Sequence, residues 1–225
     1  VALERIGAEL GAGFTGLQWT VNAYTLTLAS LILLGGSLGD RFGRRRVFVV
    51  GTVWFAAASL LCGLAPDTGT LIAARALQGV GGALLTPGSL ALISASFSGA
   101  DRAAAVGAWS GLGGVAGAVG PFLGGWLVGI DWRLVFLLNL PLAAVVVAVA
   151  VRHVPESRDQ QAAHHLDWSG TALAAVGLGS LTYGLTAAGE PGRGAAAAVW
   201  VAAGLVALAA FAVVERRSPA PLVPP

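Results

Sequence analysis

Long apolar stretches without charge alternate along the chain with short charged clusters. Seven of these stretches run over about 18–38, 47–65, 71–96, 103–129, 134–151, 168–188 and 194–214. Each is close to the ~20 residues with which an α-helix crosses the hydrocarbon core of a bilayer. Transmembrane β-strands would instead show segments of ~10 residues with alternating polarity. The pattern therefore predicts an all-α, polytopic membrane helix bundle with seven spans.

The composition supports the same conclusion. Of 225 residues, 56% are hydrophobic and only 11% are charged, whereas a soluble domain carries about 25% charged residues. So much apolar surface requires lipid as solvent, and the lipid bilayer is the first expected partner. We expect a multi-pass protein of the cell inner (plasma) membrane.

The distribution of arginine predicts the orientation of the spans, because positive charge is retained in short cytoplasmic loops. The loops after the first, third, fifth and seventh spans hold Arg41, Arg44, Arg45, Arg46, Arg102, Arg152, Arg158, Arg216 and Arg217, while the alternate loops and the N-terminal segment hold only Arg5, Arg133 and Arg193. The first set is predicted to face the cytoplasm. This topology explains the net charge of +2 better than nucleic-acid binding does. It also places residues before 18 outside, so we expect a preceding span and a longer protein.

Several kinds of chemistry are not expected. Cys62 is the only cysteine and lies in an apolar stretch, so it is read as a packing residue. The pair His164-His165 has no third ligand nearby for a metal. No strand precedes the glycines of 111–114, which argues against a dinucleotide site. No cluster of acids and histidines lies within a span, so we expect no cofactor and no enzyme.

Two segments of the chain repeat each other. Residues 34–38 (LGGSL) recur 89 residues later as 123–127 (LGGWL), each followed by an aspartate, Asp40 or Asp131, and then by Val-Phe. Three predicted crossings separate the copies, so they lie on opposite faces of the membrane. Inverted three-helix repeats are typical of secondary transporters. A chance match in so biased a composition remains an alternative.

The first arginine cluster carries an unusual acid. The segment 35–46 reads GGSLGDRFGRRR, in which an aspartate stands among glycines and arginines. It resembles the signature loop between the second and third helices of the major facilitator superfamily of transporters. That resemblance implies a cytoplasmic gating motif made of Gly36, Asp40, Arg41, Gly43, Arg44 and Arg45.

Arg75 is the only charge inside a predicted span, and an ionisable residue there is expected to be functional because burying it is costly. Snorkelling of its long side chain to the outer interface is the alternative. The surrounding segment 75–83 (RALQGVGGA) resembles the family's fourth-helix motif. By that resemblance Arg75 takes part in proton coupling, with Gln78 on the same face one turn later.

Two further segments narrow the resemblance within the family. One is similar to the fifth-helix motif of the family's antiporters and consists of Gly107, Gly120, Pro121, Gly124 and Gly125. It departs from that motif at Ala116, where the pattern has glycine. The other, 18–24 (QWTVNAY), resembles the fourteen-helix drug:proton branch. Asn22 and Tyr24 are expected either to face a polar cavity or to form hydrogen bonds between helices.

The resemblance implies the following organisation. Residues 1–151 are the N-terminal transporter bundle lacking most of its first helix, with five full spans; 152–167 is a cytoplasmic linker; 168–214 holds two extra spans inserted between the halves; and 215–225 is a loop toward a missing C-terminal half. The chain opens VALE, where the family usually has proline after Ala-Leu, and an acid that often binds substrate or protons upstream is absent.

The expected function is proton-coupled efflux of small, drug-like molecules by alternating access, as part of a longer transporter. Its partners would be protons, a small-molecule substrate and the missing half, without which the chain should not transport. A proton-coupled uptake symporter of the same fold and a truncated, non-transporting membrane protein are the alternatives.

Overall fold

The computed structural model describes residues 2–158, 168–189 and 192–217. In these ranges the chain forms helices α1 (Ala2–Leu10), α2 (Phe14–Phe42), α3 (Arg44–Gly63), α4 (Thr68–Ser96), α5 (Gly99–Ile130), α6 (Leu134–Leu137), α7 (Asn139–His153), α8 (Trp168–Ala188) and α9 (Gly194–Arg217). The described residues contain no strand. His164 and His165 lie outside the described ranges.

Seven helical segments are long and apolar enough to cross a membrane, so the predicted seven spans and the all-α fold are confirmed. The fifth of them, Leu134–His153, consists of α6 and α7. Because Pro141 has no N–H, the carbonyl of Leu137 lacks its helical hydrogen bond there, which fits the interruption between the two helices. Helices α2, α3 and α5 extend beyond the apolar stretches into the charged ends.

The core of the bundle is α4, against which both α2 and α3 pack. The packing is close because small residues face each other. A Cβ placed on Gly35 of α2 would lie 2.0 Å from the carbonyl oxygen of Ala83 in α4. In a membrane such backbone approach replaces the hydrophobic driving force for helix association.

The chain turns sharply between α2 and α3 at Gly43. Its φ of 111° lies where residues with a side chain are strained. Asp40 and Arg41, predicted in the loop, belong to the last turn of α2, and Arg44 begins α3. The loop is thus a single glycine with both helix ends charged.

Contacts between the helix ends agree with the alternation of spans. At the end predicted to be cytoplasmic, the backbone N–H of Arg44 donates to the carbonyl of Ser157, 2.9 Å away. At the other end, Trp132 and Arg133 contact Glu9. The α8–α9 hairpin packs against α2 and completes the described structure.

Candidate functional site

A polar network lies within the spans around Arg75. The guanidinium Nε donates to the carbonyl of Thr20 at 3.0 Å, and Nη1 donates to Oε1 of Gln78. The Arg75 guanidinium also stands 4.3 Å from the centre of the Tyr24 ring. Three of the four residues predicted for the cavity, Arg75, Gln78 and Tyr24, are therefore in contact.

Helical spacing explains why these residues lie together. Gln78 follows Arg75 by three residues, which places both on one face of α4. Arg75 lies seven residues after α4 begins, or about 10 Å along the helix axis at 1.5 Å a residue. It is half-buried, so the charge is held among helices, toward the end of the bundle predicted to lie outside.

Arg75 has hydrogen-bond and aromatic partners. Within the described part of the chain, no carboxylate forms an ion pair with it. The face of an aromatic ring attracts a cation through its quadrupole, an interaction worth more when water is excluded. The site can therefore hold a positive charge in place while leaving it able to attract an anion or repel a proton nearby.

Two network residues were missed from the sequence. Gln78 is buried and its Nε2 donates to Oγ of Ser59 at 2.6 Å. The amide Nδ2 of Asn139 donates to the same oxygen at 3.3 Å. The network thus links α4 to α3 and α7. A serine and an asparagine inside apolar stretches were the available signal, since polar side chains within spans seek partners.

Asn22 lies apart from this network. Its Nδ2 donates to Oγ1 of Thr186 in α8 at 3.1 Å, which corresponds to the helix-packing alternative. Trp19 lies one turn earlier on α2, and its ring centre is 5.4 Å from that of Tyr183. The ring centre of Tyr183 is 5.2 Å from that of Trp200. The segment that resembles the fourteen-helix branch therefore forms the contact with the hairpin α8–α9.

The cytoplasmic motif forms a compact charged turn. Arg44 and Asp40 make an ion pair of 2.7 Å across the glycine turn. The guanidinium of Arg41 stacks on Phe42, 5.3 Å from the ring centre. A cavity of about 230 Å³ between the ends of α2 and α4 is lined by Gly36, Asp40 and Arg44 among others.

Glu156, which falls within the predicted linker, contacts this turn. Its Oε1 accepts the N–H of Arg45 at 3.0 Å, at the N-terminus of α3, where a carboxylate satisfies free backbone donors. Arg45 Nη1 also donates to the carbonyl of Val154 at 2.9 Å. The start of the predicted linker is consequently fixed to the turn. Acids just after a span, opposite an arginine cluster, were the signal.

The helix ends predicted to lie outside carry a second charged contact. The carboxylate of Glu9 accepts hydrogen bonds from Nη1 of Arg133 and, at 2.8 Å, from Nε1 of Trp132. Those hydrogen bonds lower the pKa of Glu9. Trp132 is buried and packs with Ile6, Cys62 and others in one apolar cluster.

The predicted antiporter residues lie on an open face. A Cβ placed on any of the glycines Gly107, Gly120, Gly124 and Gly125 would have no atom of the described structure within 4 Å. Pro121 is exposed, as are the large side chains of Leu112 and Phe122. In the described structure, no neighbouring helix packs against these small residues.

Comparison with known proteins is consistent with this architecture. The chain is 43% identical over 228 residues to a puromycin resistance protein of Streptomyces alboniger, covering 100% of this chain and 45% of the relative. It is 44% identical over 230 residues to a cephamycin export protein of Amycolatopsis lactamdurans, covering 100% and 47%, and 38% identical over 228 residues to the multidrug resistance protein Stp of Mycobacterium tuberculosis, covering 99% and 42%. The chain spans about half the length of the curated relatives it matches.

The family model for the Major Facilitator Superfamily matches residues 1–212, which covers nearly all of the described helices. Seven spans of membrane length accompany that match. The chain is thus a multi-pass membrane protein, and it belongs to the Major Facilitator Superfamily.

Proposed function

We propose that this chain is most of the N-terminal half of an exporter that moves small, drug-like molecules out of the cell in exchange for protons. Alternating access through rocking of the two halves would carry the substrate. The domain boundaries stated above, at 151, 167 and 214, belong to this proposal. A resistance protein and an export protein among the relatives, similar over the whole of this chain, support the outward direction.

The observation that carries the proposal is the buried arginine network. Arg75 is an intramembrane cation held by Thr20, Gln78 and the ring of Tyr24, with no described carboxylate beside it. A fixed positive charge in a low-dielectric site lowers the proton affinity of any acid brought near it. If the other half of the transporter brings an acid near Arg75, that acid would release its proton more readily there. Proton release would therefore be linked to the position of the other half.

The cytoplasmic turn supports a gating role in the same cycle. Asp40 and Arg44 are paired over the glycine turn and line the cavity at the end of α2. Both are partly exposed, so a helix end from the other half could reach them. We assign the open face of α5, with Gly107, Gly120 and Pro121, to packing against that half.

The test is transport by the complete protein in inverted membrane vesicles, with a fluorescent drug as substrate and an imposed proton gradient. Uptake that requires the gradient is expected for the parent protein. Arg75→Ala should reduce it to background, because alanine removes the charge and both hydrogen bonds. The matched control is Arg102→Ala, which removes an exposed arginine at the start of α5 and should leave uptake unchanged.

The same assay separates the alternatives. An uptake symporter would move substrate in the direction of proton flow. A non-transporting protein would show no gradient-driven uptake in any variant. Full uptake by Arg75→Ala would refute the proton-coupling role.

A further inference from the structure

The arginines of the two charged contacts, at opposite ends of the bundle, occupy equivalent positions of the inverted repeat. Arg45, in the first turn of α3, and Arg133, just before α6, are 88 residues apart. This is the same offset as that between the repeated Val-Phe pairs that follow them. The repeat therefore includes these two arginines.

The partners of the two arginines are equivalent as well. Nη1 of Arg45 donates to the carbonyl of Val154, and Nη2 of Arg133 donates at 3.4 Å to the carbonyl of Ala65. These carbonyls are 89 residues apart, each just after the last helix of a three-helix repeat. A chance resemblance of glycines and leucines would not produce matching hydrogen bonds at matching offsets.

The hydrogen bonds between the two repeats are reciprocal. The arginine of the first repeat binds the end of the second, and the arginine of the second repeat binds the end of the first. A two-fold axis in the membrane plane relates the two arginine–carbonyl contacts. Each arginine also has a glutamate: Nε of Arg45 lies 3.8 Å from Oε2 of Glu156, and Arg133 is paired with Glu9. The two glutamates, 147 residues apart, do not occupy equivalent positions of the repeat.

We propose that Arg133, with the carbonyl of Ala65 and the carboxylate of Glu9, forms an outer clamp whose arginine and carbonyl are the pseudo-symmetric counterparts of Arg45 and Val154 in the cytoplasmic Arg45–Glu156 clamp, and that the two clamps position the helix ends of the two repeats independently on the two faces. Both are positioning contacts within one half. The outer one seals the apolar cluster behind Trp132, whose ring lies 4.5 Å from the Arg133 guanidinium. This role rests on the proposed transport cycle, in which the N-terminal half must rock as one rigid body.

The chain contains its own reporter for the outer clamp. Cys62 is the only cysteine and is fully buried in the cluster with Trp132 and Ile6. Opening of the outer ends exposes its thiol to a maleimide reagent. For the cytoplasmic end, a cysteine at Ala150, which is 4% exposed near the end of α7, serves the same purpose in a Cys62→Ala background.

The experiment compares Arg133→Gln with Arg45→Gln in the complete protein, with every cysteine outside this chain replaced by serine. Labelling rates are measured in membranes without substrate or gradient. Arg133→Gln is expected to raise labelling of Cys62 by roughly threefold to tenfold, the order for losing a charge-assisted hydrogen bond at a partly exposed site, and to leave Ala150→Cys unchanged. Arg45→Gln should do the reverse.

A second variant, Glu9→Arg with Arg133→Glu, restores the opposite charges in exchanged places and should return Cys62 labelling toward the parent rate. Two results would overturn the proposal. One is unchanged Cys62 labelling in Arg133→Gln, and the other is an equal rise at both reporters in either variant, which indicates general loosening. Because labelling needs no transport, failure of the proposed function in the vesicle assay is a separate result.

Discussion

Replacement of Gly35 by alanine gives the sharpest test of the central helix packing. The new Cβ would lie 2.0 Å from the carbonyl oxygen of Ala83, 2.7 Å from its carbon and 3.2 Å from Cα of Leu84. All three atoms are backbone, so no side chain can rotate away. To bring the first contact to even 3.0 Å, α2 and α4 must separate locally by about 1 Å, a change that overpacked sites tolerate at a cost of about 1–3 kcal/mol.

The neighbouring glycine is a matched control. A Cβ on Gly36 would meet nothing closer than Pro87 Cβ at 3.8 Å, which is ordinary contact. The assay is the unfolding temperature of the complete protein, followed by size-exclusion chromatography after heating. Gly35→Ala should unfold several degrees lower and Gly36→Ala close to the parent.

A second substitution distinguishes a backbone collision from a side-chain one. Ala83→Gly cannot rescue Gly35→Ala, because the atom in the way is the carbonyl oxygen of residue 83. Equal unfolding temperatures for Gly35→Ala and Gly36→Ala would refute the close approach of α2 and α4, and rescue by Ala83→Gly would refute its backbone origin.

Two further predictions concern the helix ends predicted to lie outside. The effects of Asn22→Ala and Thr186→Ala on the free energy of unfolding should be non-additive, with a coupling of about 0.6 kcal/mol, the average for hydrogen bonds between membrane helices. Strict additivity would show that the 3.1 Å hydrogen bond between the two side chains is not maintained. Asp67 caps α4 by accepting the N–H of Thr70, which lowers its pKa below the ordinary value of 3.8. Its stabilisation is therefore present above that value and lost as the pH falls through the folded-state pKa, so Asp67→Ala should unfold at a lower temperature than the parent near neutral pH, and the two should converge under strong acid. A difference that persists unchanged in acid would contradict the role of the charge.

Much of the site was predictable because each signal was local. Arg75 and Gln78 are three residues apart on one helix, so their proximity needs only the 3.6-residue period. Tyr24 was expected to have a polar use, and it supplies the ring beneath the guanidinium. Ser59 and Asn139 were not predicted, because each belongs to a different helix and is 80 residues from the other.

Glu9 and Glu156 show the same limit at the helix ends. The sequence analysis assigned neither residue a role, since Glu156 falls in the predicted linker and Glu9 precedes the first predicted span. Their partners lie 124 and 111 residues away in the chain, and spacing alone gives no reason to choose one arginine among several. Only the folding of the spans back and forth across the membrane brings each pair to one face.

By itself the sequence determined that the chain is a membrane helix bundle, how many spans it has and which loops carry the positive charge. These properties follow from hydropathy and from the cost of leaving backbone groups unpaired in lipid, which leaves helices as the local solution. The tertiary structure decided that Asn22 binds α8, that Glu156 caps α3 and that Glu9 pairs with Arg133. Such contacts depend on which helices are neighbours, a choice made by close packing of small residues on α4 rather than by hydrophobicity, since lipid satisfies every apolar face equally well.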